Sequence, residues 1–247
     1  MIKKHKLLKP ALFIIGFIFL LGKTDKILAQ DTGRINQPYI FFPYPMDTKK
    51  WHVSLGFTLT AMPEDVTEEV QVRAPVLDLH AIRKLSKSLY LDGRLQTQFL
   101  QGHISAGIRW AHIINERLSL SVGDDFAWWH GKLEIASFDT KANGWQNFPN
   151  ASLGLQFKDK VLMTLKGEAL LNLGYQTSIA KDISQSKGFE FSGWGGSIIL
   201  EQPLGKKSHI ITGLRGQYTN FLWQTWSLFE TFDRRIFYPE VIVGFIL

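Results

Sequence analysis

Beyond residue 50 the chain alternates polar and apolar positions with a period of two, the mark of strands whose two faces meet different surroundings. From Leu89 to Phe99 one face carries Leu89, Leu91, Leu95, Thr97 and Phe99, and the other carries Tyr90, Asp92, Arg94, Gln96 and Gln98. Ile210 to Thr219 splits the same way, with Ile210, Thr212, Leu214 and Tyr218 opposite Ile211, Gly213, Arg215, Gln217 and Thr219. Between Met163 and Tyr175, an apolar face of Met163, Leu165, Ala169, Leu171, Leu173 and Tyr175 opposes Lys166, Glu168 and Asn172. This rhythm predicts ten strands, at 51–61, 74–84, 88–99, 102–113, 117–129, 147–157, 160–175, 189–202, 208–222 and 236–247. Their lengths are close to the roughly nine to eleven residues that a tilted membrane strand requires.

The connections follow a second rhythm. Leu85-Ser86-Lys87, Asn115-Glu116, Lys158-Asp159 and Pro203 to Lys207 are short polar turns, whereas 62–73, 130–146, 176–188 and 223–235 are longer. The link near Gln101 is short on the side of the long ones. Short turns at one end and long loops at the other predict an all-β, antiparallel up-and-down transmembrane β-barrel of ten strands, eight being the alternative count. Aromatic residues crowd the strand ends beside the long loops: Trp128, Trp129, Trp145, Phe148, Phe189, Phe191, Tyr218, Phe221, Trp223, Trp226, Phe237 and Tyr238. Rings at interface height form such girdles. The last strand places Val241, Val243, Phe245 and Leu247 on one face. Here the sequence resembles the bacterial outer-membrane β-barrel proteins, over roughly residues 51–247. Their terminal strand ends in an alternating apolar series, usually closed by an aromatic, where this chain has Leu247. The resemblance implies a place in the cell outer membrane, surrounding lipid, and barrel assembly machinery that reads the C-terminal strand. A soluble sandwich or lipocalin-like barrel would bury the same apolar faces in a core, since alternation does not say which face is dry.

The amino terminus changes the charge balance. Lys3, Lys4, Lys6 and Lys9 precede an apolar run from Ala11 to Gly22, and Ala29 follows shortly after. That run is too short to span a bilayer as a helix, so residues 1–29 are expected to be a cleaved secretory signal. Residues 30–50 then form a proline- and aromatic-rich extension and 51–247 the barrel. Six of the 28 Lys and Arg lie before Gln30, against one of the 22 acids, so what remains is nearly neutral. Nothing in that balance calls for nucleic acid. The chain has no cysteine, which excludes a lipid-modified cysteine, disulfides and thiolate chemistry.

With apolar faces toward lipid, the other faces put Asp78, His80, Asp92, Arg94, Arg109, Asp125, Lys166, Glu168, Arg215 and Glu240 in the lumen. In so narrow an interior these charges are expected to pair, because an uncompensated buried charge is costly. Asp124 would face lipid if alternation held, which predicts a bulge or the start of the interface there. Asp78, His80 and Asp125 are the candidates for acid-base catalysis. The omptin proteases combine an acidic pair with an Asp/His pair, and Asp124-Asp125 with Asp78-Leu79-His80 resembles that set in reversed order. His103-Ile104-Ser105 resembles the His-x-Ser of lipid A deacylases, with Ala106 where their Asn stands. No histidine spacing suggests a metal, and no cofactor is expected. The loop from Met62 to Arg73, with Glu64, Asp65, Glu68 and Glu69, reads as a solvated acidic surface. Pro38 to Pro45 is barred from a central strand and is expected in the periplasmic mouth or on a periplasmic or membrane partner. The expected role is a non-enzymatic outer-membrane barrel for structure, assembly or small-solute passage. A surface-acting hydrolase and a loop-based adhesin or receptor are the alternatives.

Overall fold

The computed structural model describes residues 35, 37–46, 50–63, 72–135, 138–157, 160–179, 182–205, 208–228 and 234–247. The expected signal, residues 1–29, and the acidic residues of the 62–73 loop lie outside the described residues. Strands follow as β1 (Trp51–Met62), β2 (Val72–Lys84), β3 (Leu89–Gln98), β4 (Gln101–Ile113), β5 (Leu118–Ile135), β6 (Phe138–Gln156), β7 (Leu162–Ile179), β8 (Asp182–Lys187), β9 (Glu190–Leu204), β10 (Ser208–Thr219) and β11 (Ile236–Ile246). Every pairing is antiparallel and joins sequence neighbours, except that β7 pairs with β9 past the short β8 and β1 pairs with β11, so the sheet closes. β8 is a short upper segment that pairs with β7 just before β9 takes over. The barrel therefore has ten strands, as the alternation predicts. Closure leaves no unpaired strand edge around the ring. We call the end that carries the start of β1 and the end of β11 the terminal mouth, and the opposite end the loop mouth.

Burial settles the question that alternation leaves open. Along β11 the pattern is strictly alternate, with Tyr238, Glu240 and Ile242 buried and Phe237, Val241, Val243 and Phe245 exposed. Along β3, Asp92 and Gln96 are buried while Leu95 is exposed. Outward Leu214 and Trp194 keep about 60% of their surface, at 62% and 59%, whereas Asp78, His80 and Glu240 lie inside at 6% or less. Apolar faces point out and polar faces point in, the reverse of a water-soluble barrel.

Three local expectations are corrected. Residues 130–146 are almost all strand, because β5 and β6 continue as one ladder from Leu118↔Leu155 to Ile135↔Phe138. Of the two readings for Asp124, the bulge is excluded, because the residue sits in an unbroken register with Ile108 and Pro149; it stays exposed on the outer face, with Asn147 donating to its carboxylate at 2.6 Å. A bulge falls instead on β7, where Gln146↔Asn172 is followed by Trp145↔Gly174. Leu173 is the extra residue, and Tyr175 changes face and is buried. Finally, the aromatics near the long loops divide. Trp128, Trp145, Phe189, Tyr218 and Phe237 lie outside, while Trp129, Phe221, Trp223, Trp226 and Tyr238 are buried within, and Phe148 packs on His103 inside. Interface rings and lumen-filling rings share the same stretch of sequence.

Candidate functional site

At mid-height the lumen is crossed by a belt of paired charges. Arg94 on β3 grips Asp78 on β2, its Nε donating to both carboxylate oxygens at 2.8 and 3.1 Å, and Thr58 on β1 adds a bond at 3.3 Å. His80 Nε2 meets Asp92 Oδ1 at 2.7 Å, and the other oxygen of Asp92 takes the guanidinium of Arg109. On the opposite wall Lys166 lies 3.2 Å from Glu168 and 3.8 Å from Asp125, whose carboxylate also accepts from Asn150. Arg215 bridges Glu168 and Glu240, the latter at 3.4 Å, and Glu240 is further bonded by Thr60 and Gln217 at 3.0 and 2.9 Å. The inward phase of seven strands, β2, β3, β4, β5, β7, β10 and β11, brings these charges together. Each charge meets an opposite one, the condition on which ions can be held inside a narrow barrel.

Two closures sit on either side of the belt. From the terminal mouth, residues 37–46 enter as a hook, with Ile40, Phe42 and Met46 at most 2% exposed. Glu201, inward on β9, accepts the main-chain N–H groups of Ile40, Phe41 and Phe42 at 2.6, 3.2 and 2.8 Å. Arg109 donates to the Ile40 carbonyl at 2.9 Å, the Tyr90 hydroxyl accepts the N–H of Met46 at 2.7 Å, and Lys84 donates to the Met46 carbonyl. His52 Nδ1 lies 3.0 Å from the carbonyl of Tyr39. The tip, Phe41, rests edge-on against His80 and under the guanidinium of Arg94 at 5.9 Å. At Gly154, a Cβ would fall 2.7 Å from both Phe42 and Pro43, so only glycine leaves room for the hook.

At the loop mouth, the 3-10 turn Trp223–Leu228 folds back over the opening. Trp223, Trp226 and Phe221 pack with Val76, Trp129, Ala142 and Tyr175, and Tyr175 stacks on Phe221 at 4.8 Å. Trp223 stacks on His103 at 5.3 Å, Gln101 donates to the Gln224 carbonyl, and Gln224 donates to Thr60. A Cβ on Gly131 would collide with the Trp226 ring. Between hook and cap remains a cavity of about 50 Å³, lined by His80, Arg94, His103, Lys166, Glu168 and Trp223 among others. That is room for a few waters, at the ~10–15 Å³ each needs.

The structure places all of Asp78, His80, Asp92, Arg94, Arg109, Lys166, Glu168, Arg215 and Glu240 in this lumen. It does not gather a catalytic set. Asp78 is held by Arg94, His80 by Asp92, and Asp125 by Asn150 and Lys166 on the other wall. His103 and Ser105 share the inward face, but the His103 ring stacks on Trp223 and meets Phe148 at a tilt of 58°, with neither nitrogen bonded, so among the described residues no group orients it as a base. No cluster of three metal-ligating side chains occurs among the described residues. Sequence reasoning missed Glu201; its phase, two residues on from Ile199 and four from Ser197, was the signal available.

No protein-family model matches the chain. Nor does the sequence of any curated protein. Solved structures do align. The translocator domain of the autotransporter NalP from Neisseria meningitidis covers 81% of this chain and 88% of its own, at 9% identity and a TM-score of 0.41. Neisserial surface protein A covers 80% and 96%, at 14% identity and 0.35. Ail, the attachment invasion locus protein of Yersinia pestis, covers 80% and 97%, at 12% identity and 0.38. At these identities and scores no residue role passes to this chain, and the fold rests on its own strand pairing.

Proposed function

We propose that this chain is a closed, non-conducting barrel of the bacterial outer membrane that serves as a structural or assembly platform, neither a pore nor an enzyme. The single observation that carries the reading is that both mouths are filled by the chain itself, over a belt of mutually neutralised charges. A bilayer is the medium in which an apolar exterior and a hydrogen-bonded closed sheet are at home. Export would depend on the segment before Gln30, and the outward apolar series of the last strand offers the assembly machinery its signal. A passage for small solutes would need a continuous polar path, whereas Phe41 and Trp223 close the lumen from either side. Hydrolysis would need a cleft open to substrate around a base and an orienting group, and the carboxylates are instead committed to arginines and lysine.

Conductance tests this directly. The purified protein in planar bilayers is expected to show no steady single-channel current above the lipid background. Large, steady unitary currents from the wild type would overturn the closed-barrel reading.

A further inference from the structure

The barrel wall binds the hook by its main chain. Five side chains from five strands, His52, Lys84, Tyr90, Arg109 and Glu201, all bond backbone atoms of the segment between Tyr39 and Met46. Every N–H from Ile40 to Met46 has an acceptor. Ile40, Phe41 and Phe42 donate to Glu201, Tyr44 donates to the Phe42 carbonyl at 2.9 Å, and Met46 donates to Tyr90. Pro43 and Pro45 have no N–H to place. A lumen without bulk water demands such an account. The side chains of the hook add bulk, filling space with Ile40, Phe41, Phe42 and Met46.

The path of the hook matters as much as its bonds. Gln37 donates to the carbonyl of Lys160 in the β6–β7 turn, and Met46 is held by Lys84 and Tyr90 beside the β2–β3 turn. Both turns lie at the terminal mouth. The segment therefore dips in and comes back out on the same side, and no chain end has to be threaded through the barrel for it to leave or be replaced.

We infer that the terminal mouth is a peptide-binding site that reads main chain, and that it accepts a bent loop of a partner protein, with consecutive bulky apolar residues between prolines, in place of the chain's own residues 37–46. Glu201 is the positioning anchor, its two carboxyl oxygens accepting three consecutive N–H groups. Arg109 fixes the register through the Ile40 carbonyl. This inference rests on the closed-barrel reading only for the side from which the partner approaches.

Exchange on the full-length protein tests it. A chain with a protease site within residues 47–49 is folded in detergent, checked by heat-modifiable migration and then cut, so that every segment is retained. A fluorescent synthetic peptide of residues 35–46 is then added. The expected result is specific uptake by the cut protein, reversed by unlabelled peptide. A twin peptide N-methylated at Phe41 and Phe42, which keeps the side chains but loses two donors, should bind at least ~10-fold more weakly. An Ile40→Leu twin should bind within about threefold of the parent, since side-chain bulk is kept. Glu201→Gln in the barrel should weaken uptake by ~10-fold, and the peptide twins decide the matter if that variant does not fold. Absence of uptake, or equal binding of the N-methylated twin, overturns the inference. Steady conductance in the intact protein would instead overturn the closed-barrel reading, so the two failures are told apart.

Discussion

At the terminal mouth, five polar side chains hold the backbone of an inserted hook; at the loop mouth, rings packed on rings hold a 3-10 turn, with Gln101 and Thr60 adding bonds of 3.3 and 3.2 Å. The hook is bonded where backbone would otherwise be orphaned in a dry lumen, a cost of roughly 1–3 kcal/mol for each group. The cap gains mainly from apolar burial, to which large aromatic side chains contribute most. Directional contacts fix one register and fail sharply when a donor or acceptor is removed. Packing contacts fail in proportion to volume. The two closures should therefore answer differently to the same kind of change, and the belt between them should answer for both.

Arg94→Ala is the largest test. It leaves Asp78 without its guanidinium among buried neighbours and removes the cation over the Phe41 ring. The expected loss is ~3–5 kcal/mol, the usual result of stripping one partner from a buried pair. Urea titration of the heat-modifiable band measures it. The Phe41 tip should loosen with it, which a Phe41→Cys probe in this cysteine-free chain reports as faster thiol labelling. A loss below ~1 kcal/mol would place the pair among exposed ones and remove the belt as the common support.

How far the sequence foretold this arrangement differs between the parts. All ten strands are legible because outward residues such as Leu214, Val241 and Phe245 alternate with inward Arg215, Glu240 and Ile242 over long runs. The membership of the lumen belt follows from the same phase. Which acid meets which arginine does not, because pairing depends on the register between strands; His80↔Arg94 and Arg215↔Glu240 are adjacent in the sheet, yet Arg94 bonds Asp78. The burial of Tyr175 is not legible, because a bulge changes the phase without a mark in composition. The buried rings of the cap look like girdle rings because both occur at strand ends near loops. The role of Glu201 is not legible because it binds main chain, which any sequence carries.

A second test compares the two glycines. Gly154→Val would press on Phe42 and Pro43, and Gly131→Val would press on the Trp226 ring. Overpacking of this kind costs ~1–3 kcal/mol. The expected outcome is separation: Gly154→Val speeds labelling of a cysteine at position 41 and leaves the emission of the capping tryptophans unchanged, while Gly131→Val shifts that emission and leaves labelling alone. Equal effects of both substitutions on both readouts would show one cooperative plug where we describe two closures.

The smallest test contrasts single hydrogen bonds. Tyr90→Phe removes the acceptor of the Met46 N–H, a bond of 2.7 Å in the buried interior. An orphaned N–H has no second lone pair with which to compromise and is seldom tolerated, so the expected loss is ~1–2 kcal/mol. Gln101→Leu removes a 3.3 Å bond to the Gln224 carbonyl, but it also removes a buried Oε1 that has no partner. Carbonyl oxygens bear under-satisfaction better than N–H groups, and the lost desolvation penalty of Oε1 offsets the lost bond. Stability to urea should thus change by less than ~0.5 kcal/mol, in either direction, for Gln101→Leu. If the two variants lose stability equally, the distinction between a bonded hook and a packed cap is wrong. If Gln101→Leu loses more, the cap is the polar closure and the hook the apolar one.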